Sequence, residues 1–579
     1  MNNFTATVLS LTKSFGSVFK RVLSSRITMY ILITAWVCNI IVSTFTLPLY
    51  VGDLCEYFLG GLGILHKFQN GMYFGDDFTF KYFIQPGFSF FQGIFLYITD
   101  FFHIPINHYT YVIFFKFLFI AFIILSIDLA RQIHKKEKTD YITHVNIFLI
   151  ILGISPFAQH SVLFRPEILG IVFIIAGLDV YRRWELSGRN FNIYYYLAVF
   201  LIGLSTTVHL NFIIISGILF LVIFIIDIKK LKIYQALLFI FSASLPLLIV
   251  GWWFWVHYPE SVKELWFVLN IKNSGWGSYK KGFLGAGLLL LLTEASMISC
   301  KVGLFHCWQT LIQRIFVSIF WMPLLVSTIS AIIILVKNKR EFFKINKINV
   351  LMTSLFIGVM IMEILDKNAY FWYYIITSVF LVFFLSLLIT FRSPITVDSH
   401  MQSIKLSTII IIFLCVIVST NLLLQRIRYT IYRNQYILAP NIYQDVSKHL
   451  RSGDTLFLWF GQIGTFMELM DAQYKRDSDI SVYYIFPQTY LFEKADKMKT
   501  FLRKKIEEVQ PEKMVWAAAK YRVEGASEGL TFFPNKMEFR YFVPYGVGKL
   551  WLKFSVKEII YEDWNTVFFR PSKVEMLTQ

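Results

Sequence analysis

Acidic, basic and aromatic side chains in this chain gather in short groups beside long apolar runs, in a pattern that suits one kind of chemistry. Asp53, Glu56 and Tyr57 lie in Gly-Asp-Leu-Cys-Glu-Tyr, directly after the first apolar run. A helix starting there would carry all three on one side, although Asp53 would also serve as the simple cap of that helix. Asp76 and Asp77 follow in Gly-Met-Tyr-Phe-Gly-Asp-Asp. Arg165 and Glu167 sit in Phe-Arg-Pro-Glu, His209 in Thr-Thr-Val-His-Leu, and Asp366, Lys367 and Tyr370 in Asp-Lys-Asn-Ala-Tyr. Carboxylates kept close to hydrocarbon are costly and point to function. Carboxylates and cations on one face suit a reaction that removes a proton and releases a phosphate. A carboxylate would act as general base, and Arg, Lys and His would hold the developing negative charge. Each of these residues alone also suits a helix-end role at the interface; the set carries the argument. Lys280 and Lys281, beside Trp276 and Tyr279, suit interfacial anchors as well as ligand binding.

The elements that must position these residues are membrane spans. The chain has 579 residues, 56% of them hydrophobic, and a positive mean hydropathy. Apolar runs near 29–48, 109–130, 145–160, 167–181, 193–208, 210–227, 235–256, 316–336, 349–365, 370–391 and 406–424 approach the length that crosses a bilayer. The expected fold is an α-helical polytopic membrane protein of about eleven transmembrane helices. Lys and Arg cluster before the first span, at 131–138, 182–189, 229–232 and 337–347, after every second span. These clusters define one face as cytoplasmic. The N-terminal segment 1–28 is then cytoplasmic, and the loops 49–108 and 257–315 and the tail from 425 lie outside. The apolar stretch 282–293 reads as interfacial or re-entrant, because a crossing there would place the basic stretch 337–347 outside. Asp128, Asp179 and Asp227 fall toward the cytoplasmic ends, as ordinary helix termini would.

Within the first loop, 53–68 and 86–102 have helical apolar spacing and read as helices lying in the interface. The formal charge of +18 suits anionic headgroups or phosphate ligands, and no nucleic-acid-binding signature accompanies it. Cys300 and Cys307 share an external loop where they would pair under oxidising conditions. His306 beside them lacks a complementary pair of metal ligands. No small-residue cleavage site precedes the first span, which is expected to remain as an anchor. Beyond 425 the composition changes. Strands are expected at 455–460, 481–486, 514–519, 556–561 and 566–570, and helices at 438–451, 464–470 and 492–509, which describes a small α/β domain outside the membrane.

The first loop resembles that of the GT-C glycosyltransferases, membrane enzymes that take sugars from polyprenyl-phosphate carriers. Their pattern is an acidic residue after the first span, a tyrosine one turn later, Gly-x-x-Tyr-x-x-Asp and a Tyr-Pro-Pro-like element. Asp53, Tyr57, Gly71-Met-Tyr73-Phe-Gly-Asp76 and Ile84-Gln-Pro86 stand in these places. Phe-Arg165-Pro-Glu167 resembles the family's Arg-Pro-Asp element, and the segment from Gly203 to His209 its Gly-Leu-Ala…His/Lys segment. Asp366-Lys367-Asn-Ala-Tyr370 resembles its late Lys/Arg-x-x-Tyr element. The resemblance covers about residues 28–424. This chain departs from the pattern in splitting the acidic pair as Asp53 and Glu56, in placing Tyr73 one residue early, and in having Gln85-Pro86 for Pro-Pro.

The resemblance implies that Asp53 deprotonates the acceptor hydroxyl, with inversion at the sugar carbon. It implies that Glu56 and Asp76 position acceptor or donor, or bind a divalent cation in members that need one. Arg165, His209 and Lys367 become candidates for gripping the carrier phosphate, with Lys280 and Lys281 after them. The implied partners are a polyprenyl-phosphate-linked sugar, an extracytoplasmic glycan, lipid or protein acceptor, and the lipid bilayer of the cytoplasmic membrane. A transporter or flippase is the alternative. It predicts inverted repeats and charged or broken spans at mid-bilayer, whereas the polar residues here crowd the span ends. A purely structural membrane protein would leave the acidic first loop unexplained.

Overall fold

The structure is a computed structural model that describes 22–46, 60–61, 64–65, most of 86–135, 141–154, 166–188, 191–257 apart from 210 and 229, 347–365, most of 446–458, 481–484, most of 503–519, 529–533, 538–543, 550–562 and 566–578. The chain divides into two compact units. The first comprises Met1–Thr46, Phe115–Trp253 and Asn270–Arg428; the second comprises Leu47–Phe114, Phe254–Leu269 and Tyr429–Gln579.

The described helices are α1 (Arg26–Thr46), α2 (Pro86–Phe101), α3 (His108–His134), α4 (Tyr141–Ile154), α5 (Glu167–Ser187), α6 (Ile193–Val208), α7 (Asn211–Asp227), α8 (Ile233–His257) and α9 (Lys347–Leu365). All but α2 coincide with apolar runs read as spans; the runs at 316–336, 370–391 and 406–424 lie outside the described residues. Among the described residues, the segments Ile113–His134 of α3 and Ile233–Val256 of α8 have the length and apolarity to cross a membrane. The shorter α6 and α7, of 16 and 17 residues, fall below that length. α8 exposes Ile233, Leu237, Ile240, Leu248, Trp252 and Trp255, each by 57% or more, a surface that suits hydrocarbon and not water.

In the first unit, short polar or glycine connections force α5, α6 and α7 into an up-down-up arrangement. Gly188 ends α5 in the left-handed region (φ 61°), and the Asn192 side chain opens α6 by accepting from the Tyr194 N–H at 3.1 Å. Glycines set the helix crossings. A Cβ on Gly177 of α5 would lie 2.6 Å from Ile202 Cγ1 and 2.9 Å from the Ala198 carbonyl oxygen of α6. A Cβ on Gly203 of α6 would lie 2.6 Å from the Ala243 carbonyl oxygen and 3.2 Å from Pro246 Cγ of α8. Close backbone approach at small residues is how helices associate where no hydrophobic effect drives them together. Gly203→Val is therefore expected to lower the thermal midpoint in detergent through an overpacking penalty of about 1–3 kcal/mol. An unchanged midpoint would show that α6 and α8 do not meet at this point.

The far ends of these helices are tied by buried and part-buried charges. Tyr181 of α5 donates to Asp227 Oδ2 of α7 at 2.9 Å, and Lys347 at the start of α9 pairs with Asp227 Oδ1. The Lys347 amide donates to Glu185 at 3.2 Å, and its ammonium lies 5.4 Å from the Trp184 ring centroid. Arg182 donates to Glu185 at 2.6 Å and to the Gln132 and Ile133 carbonyls of α3 at 3.1 Å. Arg183 donates to Asp179 at 2.7 Å and pairs with Asp128 of α3. Asp128, Asp179 and Asp227 are thus not ordinary helix termini, as the sequence suggested. They join α3, α5, α7 and α9, because a carboxylate taken out of water needs a cation and donors of its own.

The second unit contains α2, the first turns of α3 and a seven-stranded mixed sheet. The strands are β1 (Thr455–Leu458), β2 (Ser481–Tyr484), β3 (Met514–Ala519), β4 (Gly529–Phe533), β5 (Glu538–Val543), β6 (Leu550–Glu562) and β7 (Thr566–Thr578), in the order β2-β1-β3-β7-β6-β5-β4. β2, β1 and β3 run parallel; β3-β7-β6-β5-β4 is antiparallel. The antiparallel part was only partly expected. β4 and β5 are additional, and β6 and β7 run beyond 556–561 and 566–570. Pro571, which has no N–H to give a ladder, lies opposite Val556 where the β6–β7 register shifts. On the buried face Phe457 stacks on Trp516 (centroids 4.5 Å, 8° between planes), and Trp516 leans on Phe554. Beside them Arg570 forks onto Asp454, at 2.7 Å to Oδ1 and 2.5 Å to Oδ2, and donates to the Glu512 carbonyl at 3.0 Å. The hydrogen bonds to Asp454 raise the Arg570 pKa above the ordinary arginine value, against the opposing effect of burial.

Candidate functional site

Of the residues singled out for chemistry, Glu167 and His209 are described; Asp53, Glu56, Tyr57, Asp76, Asp77, Arg165, Lys280, Lys281, Asp366, Lys367 and Tyr370 lie outside the described residues. The structure brings Glu167 and His209 to one end of the first unit. Glu167 opens α5, where a carboxylate faces the positive end of the helix dipole. His209 follows α6 in extended conformation (φ −158°, ψ 141°), and its carbonyl accepts from the Phe212 N–H at 3.0 Å as α7 begins. α5 and α6 run antiparallel, with Gly177 on Ile202 at mid-height and Trp184 on Tyr195 (4.6 Å) at the other end. One turn in from Glu167, a Cβ on Gly170 would lie 2.3 Å from the Phe212 ring, so the starts of α5 and α7 are pressed together beside His209. Both Glu167 and His209 are fully buried and engaged in contacts. Below them Ser205 and Ser216 share a hydrogen bond of 2.7 Å between α6 and α7.

Two further polar side chains went unremarked in the sequence. Lys116 of α3 is 5% exposed, and it is the single cation between His108 and Arg131 of that helix. A lone lysine in Phe-Phe-Lys-Phe-Leu-Phe was the signal, since an ionised group at span depth marks a ligand or partner. It lies about 12 Å along the helix from its start. Gln92, fully buried on α2, had no such signal, because a single glutamine in an amphipathic helix is commonplace. On α2 the buried face is Gly87, Phe88, Ser89, Gln92, Gly93, Leu96 and Thr99. The helical residues around 60–65 rest on it, with Gly61 on Gln92 and Ile64 on Gly93. The far side exposes Tyr97, Ile98, Phe101 and Phe102, as a helix lying at an interface would. Phe88 and Phe95 also flank Phe114 of α3, at 5.9 and 5.0 Å between centroids.

No three His, Cys, Asp or Glu side chains among the described residues come together as metal ligands, and Glu56 and Asp76 lie outside them.

The arrangement shares its fold with solved structures of the GT-C class. Two solved structures carry that comparison. ArnT, the aminoarabinose transferase from Cupriavidus metallidurans, in the apo state is 8% identical at a TM-score of 0.53, over 93% of this chain and 96% of that one. The same protein bound to undecaprenyl phosphate is 10% identical at a TM-score of 0.53, over 93% and 97%. The oligosaccharyltransferase of Archaeoglobus fulgidus overlaps more loosely, at 10% identity and a TM-score of 0.45, over 85% of this chain and 69% of that one. No protein-family model matches the sequence, and no curated protein matches it either.

Proposed function

We propose that this protein transfers a sugar from a polyprenyl-phosphate carrier to an acceptor outside the cytoplasmic membrane, with Asp53 as general base. The observation that carries the reading is the near-complete overlap with ArnT, whose structure was solved with undecaprenyl phosphate bound. The first loop adds independent support, since Asp53, Tyr57, Asp76 and Pro86 stand where the GT-C pattern has them. The acceptor hydroxyl gives its proton to Asp53 as its oxygen bonds to the anomeric carbon, and the carrier phosphate leaves with the electron pair of the broken bond. Phosphate is a competent leaving group and calls for no general acid, so the cations have only to hold its charge. Arg165, His209 and Lys367 take that role, with Lys280 and Lys281 as further ligands, while Glu56, Tyr57, Asp77, Glu167, Asp366 and Tyr370 orient donor and acceptor. In this reading the sugar carbon is inverted, and the N-terminus faces the cytoplasm with the sheet outside.

Lys116 joins the phosphate ligands. Its side chain is buried and engaged near the start of the apolar segment Ile113–His134, where a lipid-borne phosphate entering from the bilayer would come within its reach. Lys116→Met keeps the length and loses the charge. It is expected to reduce transfer by about 10- to 100-fold, the range of one charge-assisted contact, while membrane insertion stays intact. Unaltered transfer at equal protein level would remove Lys116 from the set. The reading as a whole is tested by following labelled sugar from a polyprenyl-phosphate donor pool into membranes that carry or lack the protein. Equal incorporation in the two would overturn it.

A further inference from the structure

α2 holds one carboxamide that the mechanism above does not use. Gln92 is fully buried, and neither Oε1 nor Nε2 has a hydrogen-bond partner among the described residues. Its side chain is pressed against the helical backbone at Gly61, where a Cβ would lie 2.7 Å from both Cγ and Oε1 of Gln92. At the next residue along α2, a Cβ on Gly93 would lie 2.4 Å from Ile64 Cγ2. The joint between the 60–65 segment and α2 is therefore built of glycines around a single amide. A buried donor or acceptor left unpaired destabilises a fold, whereas Leu or Met of similar size would fill the same space without that penalty. A polar group kept in such a place has a partner that the described residues do not supply.

The chemistry of the amide narrows what that partner is. A carboxamide offers an acceptor and a donor side by side, and hydroxyl groups both give and take hydrogen bonds. A phosphate only accepts and would leave Oε1 unpaired. The joint begins three residues after Tyr57 and seven after Asp53 in the sequence. We propose that Gln92 binds a hydroxyl of the transferred sugar and so helps to decide which sugar is accepted. This rests on the transferase reading given above.

The test compares wild type, Gln92→Leu, Gln92→Met and Asp53→Asn as full-length proteins in membranes at matched levels. Incorporation of labelled sugar from the native donor pool and the thermal midpoint are both followed. The expected result is a loss of about 10- to 100-fold in transfer for both Gln92 variants, the worth of one or two hydrogen bonds in a site built for them. Their midpoints should equal or exceed that of wild type. Asp53-dependent transfer that Gln92→Leu and Gln92→Met leave unchanged overturns the assignment alone. Lowered midpoints in the Gln92 variants also overturn it, by making Gln92 a structural residue. Transfer that is absent from wild type, or unaffected by Asp53→Asn, overturns the transferase reading and takes the sugar assignment with it.

Discussion

Asp53→Asn is expected to cost this protein about 10²–10⁴-fold in sugar transfer, the contribution of a positioned general base, with membrane insertion and thermal midpoint unaltered. The change keeps the size and shape of the side chain and removes only its basicity. An acceptor hydroxyl is a poor nucleophile until its proton has somewhere to go, and a phosphate leaving group gives the enzyme no second proton-transfer step to fall back on. If Asp53 merely capped a helix, Asn would cap equally well and transfer would hold. Labelled-sugar incorporation at matched protein levels separates the two. Transfer at the wild-type rate would eliminate Asp53 as base and make a flux assay for a carried lipid the next experiment.

The second large effect is structural. Asp454→Ala leaves the Arg570 guanidinium, which is 2% exposed and forked onto that carboxylate, with Glu558 at 3.6 Å as its remaining counter-ion among the described residues. Removing one partner of a buried pair costs about 3–5 kcal/mol, because the surviving charge stays buried without its close, bidentate counter-ion. Asp454 precedes β1, Arg570 lies in β7, and the Glu512 carbonyl that also accepts from Arg570 precedes β3. The pair thus joins the parallel and antiparallel parts of the sheet. Thermal melts and limited proteolysis of the full chain in detergent should show the sheet opening first. The double change Asp454→Leu with Arg570→Met should be milder than Asp454→Ala, since it leaves no orphaned charge. Equal losses in the single and double variants would mean that the two residues do not act as a unit.

Sequence alone located the described helices well, and for a physical reason. A run such as Asn-Phe-Ile-Ile-Ile-Ser-Gly-Ile-Leu at the start of α7 has no other stable fate than a helix buried in protein or lipid. β1, β2 and β3 were visible as short apolar stretches between polar ones. β5 was missed because Glu538 and Arg540 interrupt its apolar pattern, and the short β4 with it, although Pro534-Asn535 between them is a turn signal. Pro571 hid the length of β7, since a proline argues against a strand unless a bulge receives it. Lys116 was legible and overlooked. Gln92 was not legible, because burial of both its polar atoms belongs to the packing of α2 and has no mark in local sequence. The ion-pair network was equally hidden: Asp227 and its partner Lys347 are 120 residues apart.

That separation bears on how the protein is made. The translocon releases helices in chain order, so α7 is in the membrane with Asp227 well before Lys347 is synthesised. At ordinary translation speeds 120 residues take roughly 6–24 s. Through that interval Asp227 has Tyr181 to lean on but, among the described residues, no counter-charge, so an incomplete chain holds a carboxylate without its cation. α9 is then the step that neutralises it. Nascent chains arrested before Lys347 should be removed by membrane quality control, and chains arrested just beyond α9 should survive.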